Sequence, residues 1–136
     1  MISRLLHLLR LSSTRQILLA VFIALFVLTT YLMLIELPPK KMGWPHWDKV
    51  QHILVFLMLA GLAICLFFEQ RWQWAAGMCI YGAWIEWMQA TFTITRMATL
   101  GDWIADITGI AIAMLVTVMV KNLLSKNAVL LSANSV

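Results

Sequence analysis

Residues 17 to 35, ILLAVFIALFVLTTYLMLI, form a run of nineteen without a charge. A helix needs about 20 such residues to cross the hydrocarbon of a bilayer, where every backbone N–H and C=O must be bonded within its own segment. The run is too long for a secretory signal core and lacks a convincing small-residue cleavage site, so it reads as a retained span. The remainder agrees: 62% of the 136 residues are hydrophobic and 12% are charged, far from the balance of a soluble domain. The formal charge of +4 comes from a few residues clustered at span ends, which argues against a nucleic-acid partner. Cys65 and Cys79 show neither metal-finger nor redox spacing and are expected to be buried free thiols.

The expected fold is an all-α membrane protein, a four-transmembrane-helix bundle preceded by an amphipathic interfacial helix. In residues 1–15, MISRLLHLLRLSSTR, the residues Arg4, His7 and Arg10 recur every three positions among leucines, as in a helix lying on a membrane surface. The bundle then occupies 16–121, with spans at Ile17–Ile35, Asp48–Phe68, Trp74–Ile94 and Asp102–Val120, and 122–136 forms a short tail. In ELPPKKMGWPHW, Pro38, Pro39 and Pro45 deny helix continuation and Trp44 and Trp47 suit an interfacial belt. EQRWQW is expected to turn the second span into the third as a tight hairpin, and TRMATLG leads into the fourth. Four spans place both termini on one side. That side holds six basic residues, Arg4, Arg10, Arg15, Arg71, Lys121 and Lys126, against four opposite, Lys40, Lys41, Lys49 and Arg96, which predicts cytoplasmic termini.

Polar residues recur at helical spacing inside three spans. Gly82, Glu86, Gln89 and Thr93 share one face of the third, while Trp84 and Trp87 point elsewhere. Glu86 would lie roughly 12 Å below the outer helix end at 1.5 Å per residue, too deep to reach interfacial water alone. Asp102, Asp106, Gly109 and Ala113 form a stripe on the fourth span, whose small residues permit close helix approach. The second contributes Asp48 and His52, with Lys49 beside them. Charges within spans face a bundle interior or a water-filled cavity, so these stripes are expected to converge in the outer half. Four acids (Asp48, Glu86, Asp102, Asp106) against two cations (Lys49, Arg96) leave a formal charge of −4 + 2 = −2. Protons, a divalent cation or a cationic ligand group would each compensate.

Each feature also has a purely structural reading. Glu86 and Gln89 can join helices by hydrogen bonds, Asp102 can cap its helix while Asp106 bonds a neighbour, and His52 can partner Asp48. Lys49 and Arg96 can be interfacial anchors.

The ordered set DKVQH, IEWMQ, an arginine and DWIADITG resembles the VanZ-like family of small bacterial membrane proteins. The resemblance covers Asp48 to Gly109 and carries over to Asp48, Lys49, His52, Glu86, Gln89, Arg96, Asp102 and Gly109. Phe56 stands where the family often has tyrosine, and Asp106 where it often has asparagine, so a phenolic donor is missing and an acid is gained. The namesake of the family is associated with reduced susceptibility to teicoplanin, which implies a place in the cell envelope.

The leading expectation is a membrane-embedded enzyme or binding protein acting on a phosphorylated envelope lipid at the outer face. Asp48, Lys49, Gln89 and Arg96 would bind substrate, the second and fourth helix N-termini would favour its phosphate, and His52, Glu86, Asp102 and Asp106 would supply acid/base or metal chemistry. A divalent cation held among Asp48, His52, Glu86, Asp102 and Asp106 could be magnesium, manganese or zinc. A non-catalytic packing or partner-binding module is the alternative. A proton or ion pathway ranks last, because the inner halves around Cys65 and Met78 offer no comparable polar residues.

Overall fold

The computed structural model describes the backbone of residues 2–35, 46–94 and 98–133 and the side chains of 13–35, 46–94 and 98–127. Arg96, Thr95, Trp44, Lys40, Lys41 and the three prolines lie outside these residues, as do the side chains of Arg4, His7 and Arg10.

The described residues are helical with short connections: α1 (Ile2–Leu34), α2 (Trp47–Leu66), a 3-10 turn (Phe68–Gln70), α3 (Arg71–Phe92) and α4 (Leu100–Ala133). The N-terminal segment continues into the first apolar run without a break, and α4 continues into the segment read as a tail. Three stretches are long and apolar enough to cross a membrane: Ser13–Leu34, Trp47–Leu66 and Leu100–Asn127. At 22 residues α3 reaches about 33 Å, long enough to span, but Arg71, Gln73, Glu86 and Gln89 lower its apolarity.

The outward faces of these helices carry Ile17, Ile23, Leu54, Met58, Ile80, Leu115 and Val116, all exposed. So much uncovered aliphatic surface would associate in water and is suited to lipid. The tight hairpin expected at residues 69–74 is present as the 3-10 turn, whose Gln70 amide bonds the Phe67 carbonyl.

The most extensive helix contact joins α2 to α4. Contacts rise together along both chains, Lys49 with Asp102, His52 with Asp106, Ile53 and Leu57 with Gly109, so the two helices run parallel. Gly109 makes the approach possible. A Cβ there would fall on the Ile53 carbonyl oxygen and stand 2.9 Å from the Leu57 nitrogen. Further along the same seam a Cβ at Gly61 would stand 4.0 Å from that of the buried Ala113. On the other side, α1 runs parallel to α3: Phe22 stacks edge-on against Trp74 at 5.8 Å, Phe26 meets Tyr81 at 4.5 Å, and Gln89 reaches Met33. Both cysteines are free, but Cys65 is exposed and Cys79 half-buried, contrary to the expectation of burial. Cys65 follows the fully buried Ile64 by one residue, which turns it about 100° away from the core.

Candidate functional site

Two polar groupings sit side by side where α2, α3 and α4 meet. In the first, the N-terminus of α4 is fixed by its own TLGD sequence. The Thr99 hydroxyl accepts the Asp102 amide at 3.1 Å and donates to Asp102 Oδ2 at 2.7 Å, a variant of the capping box. Lys49 from α2 donates to the other oxygen, Asp102 Oδ1, at 2.8 Å. Asp102 therefore has both oxygens occupied while 95% withdrawn from the surface. The Thr99 amide, left over from the cap, donates to Glu86 Oε2 at 2.8 Å. The carboxylate of α3 thus lies against the positive end of the α4 dipole.

The second grouping lies one turn further along. His52 Nδ1 is 2.8 Å from Asp106 Oδ1, with both side chains buried. Phe56, one turn below His52, is fully buried with its ring 5.7 Å from that of Tyr81. The phenol is not directed to the acids but exchanges a 2.7 Å hydrogen bond with Thr30 of α1. Counting from the first residue of α2, His52 is about 7.5 Å in; Glu86 and Asp106 are about 9 Å from the adjacent ends of α3 and α4. The three therefore share one level. One potential ligand atom from each of His52, Glu86 and Asp106 lies within 4.8 Å of the others. Two carboxylate oxygens there, Glu86 Oε1 and Asp106 Oδ2, are buried with no hydrogen-bond partner among the described residues.

A groove of about 300 Å³ opens beside this cluster, lined by Ala83, Glu86, Ala98, Thr99, Leu100 and Trp103. Glu86 belongs to both, so it is the route from groove to cluster. The wall is apolar apart from Glu86, Thr99 and the Trp103 indole, whose Nε1 donates to the Cys79 carbonyl at 3.0 Å.

The residues singled out from sequence separate accordingly. His52, Glu86 and Asp106 come together, and Lys49 with Asp102 forms the adjacent ion pair. Asp48 does not join them. Its side chain is 59% exposed at the first turn of α2, 3.4 Å from Lys49, because one helical turn of α2 separates it from His52. Asp102 is not part of the three-residue cluster either, being saturated by Lys49 and Thr99. Gln89 shares the buried face of Glu86 but donates its amide to the Met33 carbonyl at 2.8 Å, closing the C-terminal end of α1. Trp84 and Trp87 are exposed, as their positions on the opposite face require.

Gly82, which spacing already places on the face of Glu86, matters because a Cβ there would stand 2.7 Å from Asp106 Oδ2. The capping role of Thr99 is signalled by a threonine three residues before an aspartate at the start of an apolar run.

No family model, curated protein or solved structure matches the chain.

Proposed function

We propose that the chain is a four-span protein of the bacterial cytoplasmic membrane, with both termini cytoplasmic, that binds or processes a phosphorylated envelope lipid in the outer half of its bundle. The observation that carries this reading is Glu86: a residue 91% withdrawn from the surface, with one buried carboxylate oxygen unpartnered, at the wall of a mostly apolar groove. An acyl or polyprenyl chain suits such a wall. The headgroup would lie toward Thr99, Lys49 and the first turn of α4, where hydroxyl, ammonium and helix dipole favour phosphate. Arg96, in the adjoining segment, supplies a guanidinium for the same phosphate. His52 and Glu86 are the candidate acid/base groups, with Asp106 orienting the imidazole.

In this reading α3 is the fourth span, its polar face turned inward and its length adequate. The likeness of DKVQH, IEWMQ and DWIADITG to VanZ-like proteins supports an envelope role. The alternative, a non-catalytic packing module, is favoured by one specific fact: Gln89 is used to fasten α3 to α1.

A lipid inventory of the purified protein by native mass spectrometry tests the proposal. A copurifying phospholipid or polyprenyl phosphate, lost in Glu86→Gln at unchanged stability, is the expected result. A protein that retains no phosphorylated lipid, or retains it equally in that variant, supports the packing module instead.

A further inference from the structure

We propose that His52, Glu86 and Asp106 form a divalent-cation site, of the kind that takes Mn2+ or Zn2+. Potential ligand atoms from three different helices converge within 4.8 Å. A cluster of acids alone would not imply a ligand, but here Asp106 is fully buried and Glu86 nearly so, and each has one oxygen unpartnered. Glu86 is also held from outside the cluster, its Oε2 accepting from the Thr99 amide, so Oε1 is presented by a side chain fixed at its other oxygen. Buried polar groups are rarely left without partners, and a buried carboxylate oxygen lacking one points to a missing ion or proton.

Gly82, one turn before Glu86 on the same face of α3, is what lets the Asp106 carboxylate pack against α3, since a Cβ there would stand 2.7 Å from Oδ2. The charge is also suited to a dication. Two carboxylates and a neutral imidazole sum to −2, in a span where lipid and apolar side chains cannot screen them.

The donor set selects the ion. Imidazole with two carboxylates suits zinc or manganese better than the all-oxygen sites typical of calcium, and three protein ligands are the usual number for a zinc site with a free position. His52 Nδ1, 2.8 Å from Asp106 Oδ1, is the imidazole nitrogen that faces the acids, so an ion entering the cluster displaces the proton shared by this pair, and binding releases it. Tetrahedral zinc needs ligand atoms about 3.3 Å apart, so the cluster, whose atoms lie within 4.8 Å of one another, closes by up to about 1.5 Å on binding. The free position would accept a phosphate oxygen if the lipid reading above holds, but cation binding itself does not depend on it.

The test uses the full-length protein in detergent, stripped with chelator and then offered Zn2+ or Mn2+ alone. One equivalent per chain retained through gel filtration, with a rise in melting temperature, is expected. His52→Gln and Glu86→Gln should each weaken binding by at least about tenfold, and Gly82→Ala should do so by crowding Asp106. Melting of each variant in chelator shows whether its fold is intact. The proposal is overturned if neither ion binds stoichiometrically, meaning that protons neutralise the acids, or if binding survives in both His52→Gln and Glu86→Gln, meaning that the ion sits elsewhere. Lipid content of the chelated parent is read separately. Ion without lipid removes the lipid reading alone, and lipid without ion removes this one alone.

Discussion

His52 Nδ1 and Asp106 Oδ1 lie 2.8 Å apart across the parallel α2–α4 seam, with 8% and 0% of their side chains exposed. Neither group can recover its lost partner from solvent. Removing one member of a buried pair leaves the other uncompensated, whereas removing both with apolar replacements leaves no polar group to desolvate. In chelator, His52→Leu and Asp106→Leu should therefore each destabilise the protein by about 3 kcal/mol or more, while the double variant should lie closer to the parent than either single. Denaturant titrations of the four proteins give the coupling. Strictly additive losses would mean that the two side chains do not interact.

The seam itself depends on Gly109. Since a Cβ there would strike the backbone of α2 at Ile53 and Leu57, Gly109→Ala must push the helices apart or fail to fold. A loss of about 2 kcal/mol is expected, with weaker cation binding because His52 and Asp106 belong to the separated helices. Gly77→Ala is the control. Nothing lies within 4 Å of a Cβ at that position, and replacing glycine inside a helix should stabilise by about 0.5–1 kcal/mol. Equal melting temperatures for the two variants would refute close packing at Gly109.

Helical periodicity made the polar faces legible before any contacts were known. Gly82, Glu86 and Gln89 are indeed buried together, as are Asp102, Asp106 and Gly109. Pairing across helices was not legible, because spacing along one helix says nothing about its offset against another. It pairs His52 with Asp48, four residues away, although the α2–α4 offset set by Gly109 gives it Asp106, 54 residues away. Gln89 is similar: its acceptor is a main-chain carbonyl at the end of α1, which no residue identity announces. The fourth span was legible from length and less so from hydropathy, since the residues that make α3 interesting also make it polar.

Topology follows from the proposed four spans and can be read by thiol labelling. In a variant lacking Cys65 and Cys79, a cysteine at Gly43 should label from outside and one at Asn127 only from the cytoplasm. The basic residues on the two sides number six and four, so the bias toward this orientation is modest. Labelling of Gly43 from the cytoplasm alone would turn the site to face the other way.

Among the cations, Arg96→Lys should weaken retention of a phosphorylated lipid more than Lys49→Arg. The ammonium of Lys49 is already committed to Asp102 at 2.8 Å, and arginine can keep that bond. A guanidinium at residue 96 offers a planar fork for phosphate that ammonium cannot reproduce. Equal tolerance of both exchanges, at equal protein levels, would reduce the two residues to generic interfacial charges.

Glu86→Gln separates a working carboxylate from a structural one. The amide oxygen can still accept from the Thr99 N–H, so the α3–α4 junction should hold. The new NH2 group replaces Oε1, an oxygen with no partner among the described residues. Folding should therefore be unimpaired, and in chelator the variant should melt at or above the parent temperature, because one buried acid has been removed. A site that uses the charge, as metal ligand or as base, must nonetheless fail. The expected result is loss of cation and lipid binding at full stability. Asp106→Asn should be milder, since the amide keeps one oxygen able to ligate, and His52→Gln should fall with Glu86→Gln for cation binding. Melting, ion content and copurifying lipid are measured on the same preparations. If Glu86→Gln binds like the parent, or loses binding only as it loses stability, Glu86 is a packing residue and the polar cluster serves to hold three helices together.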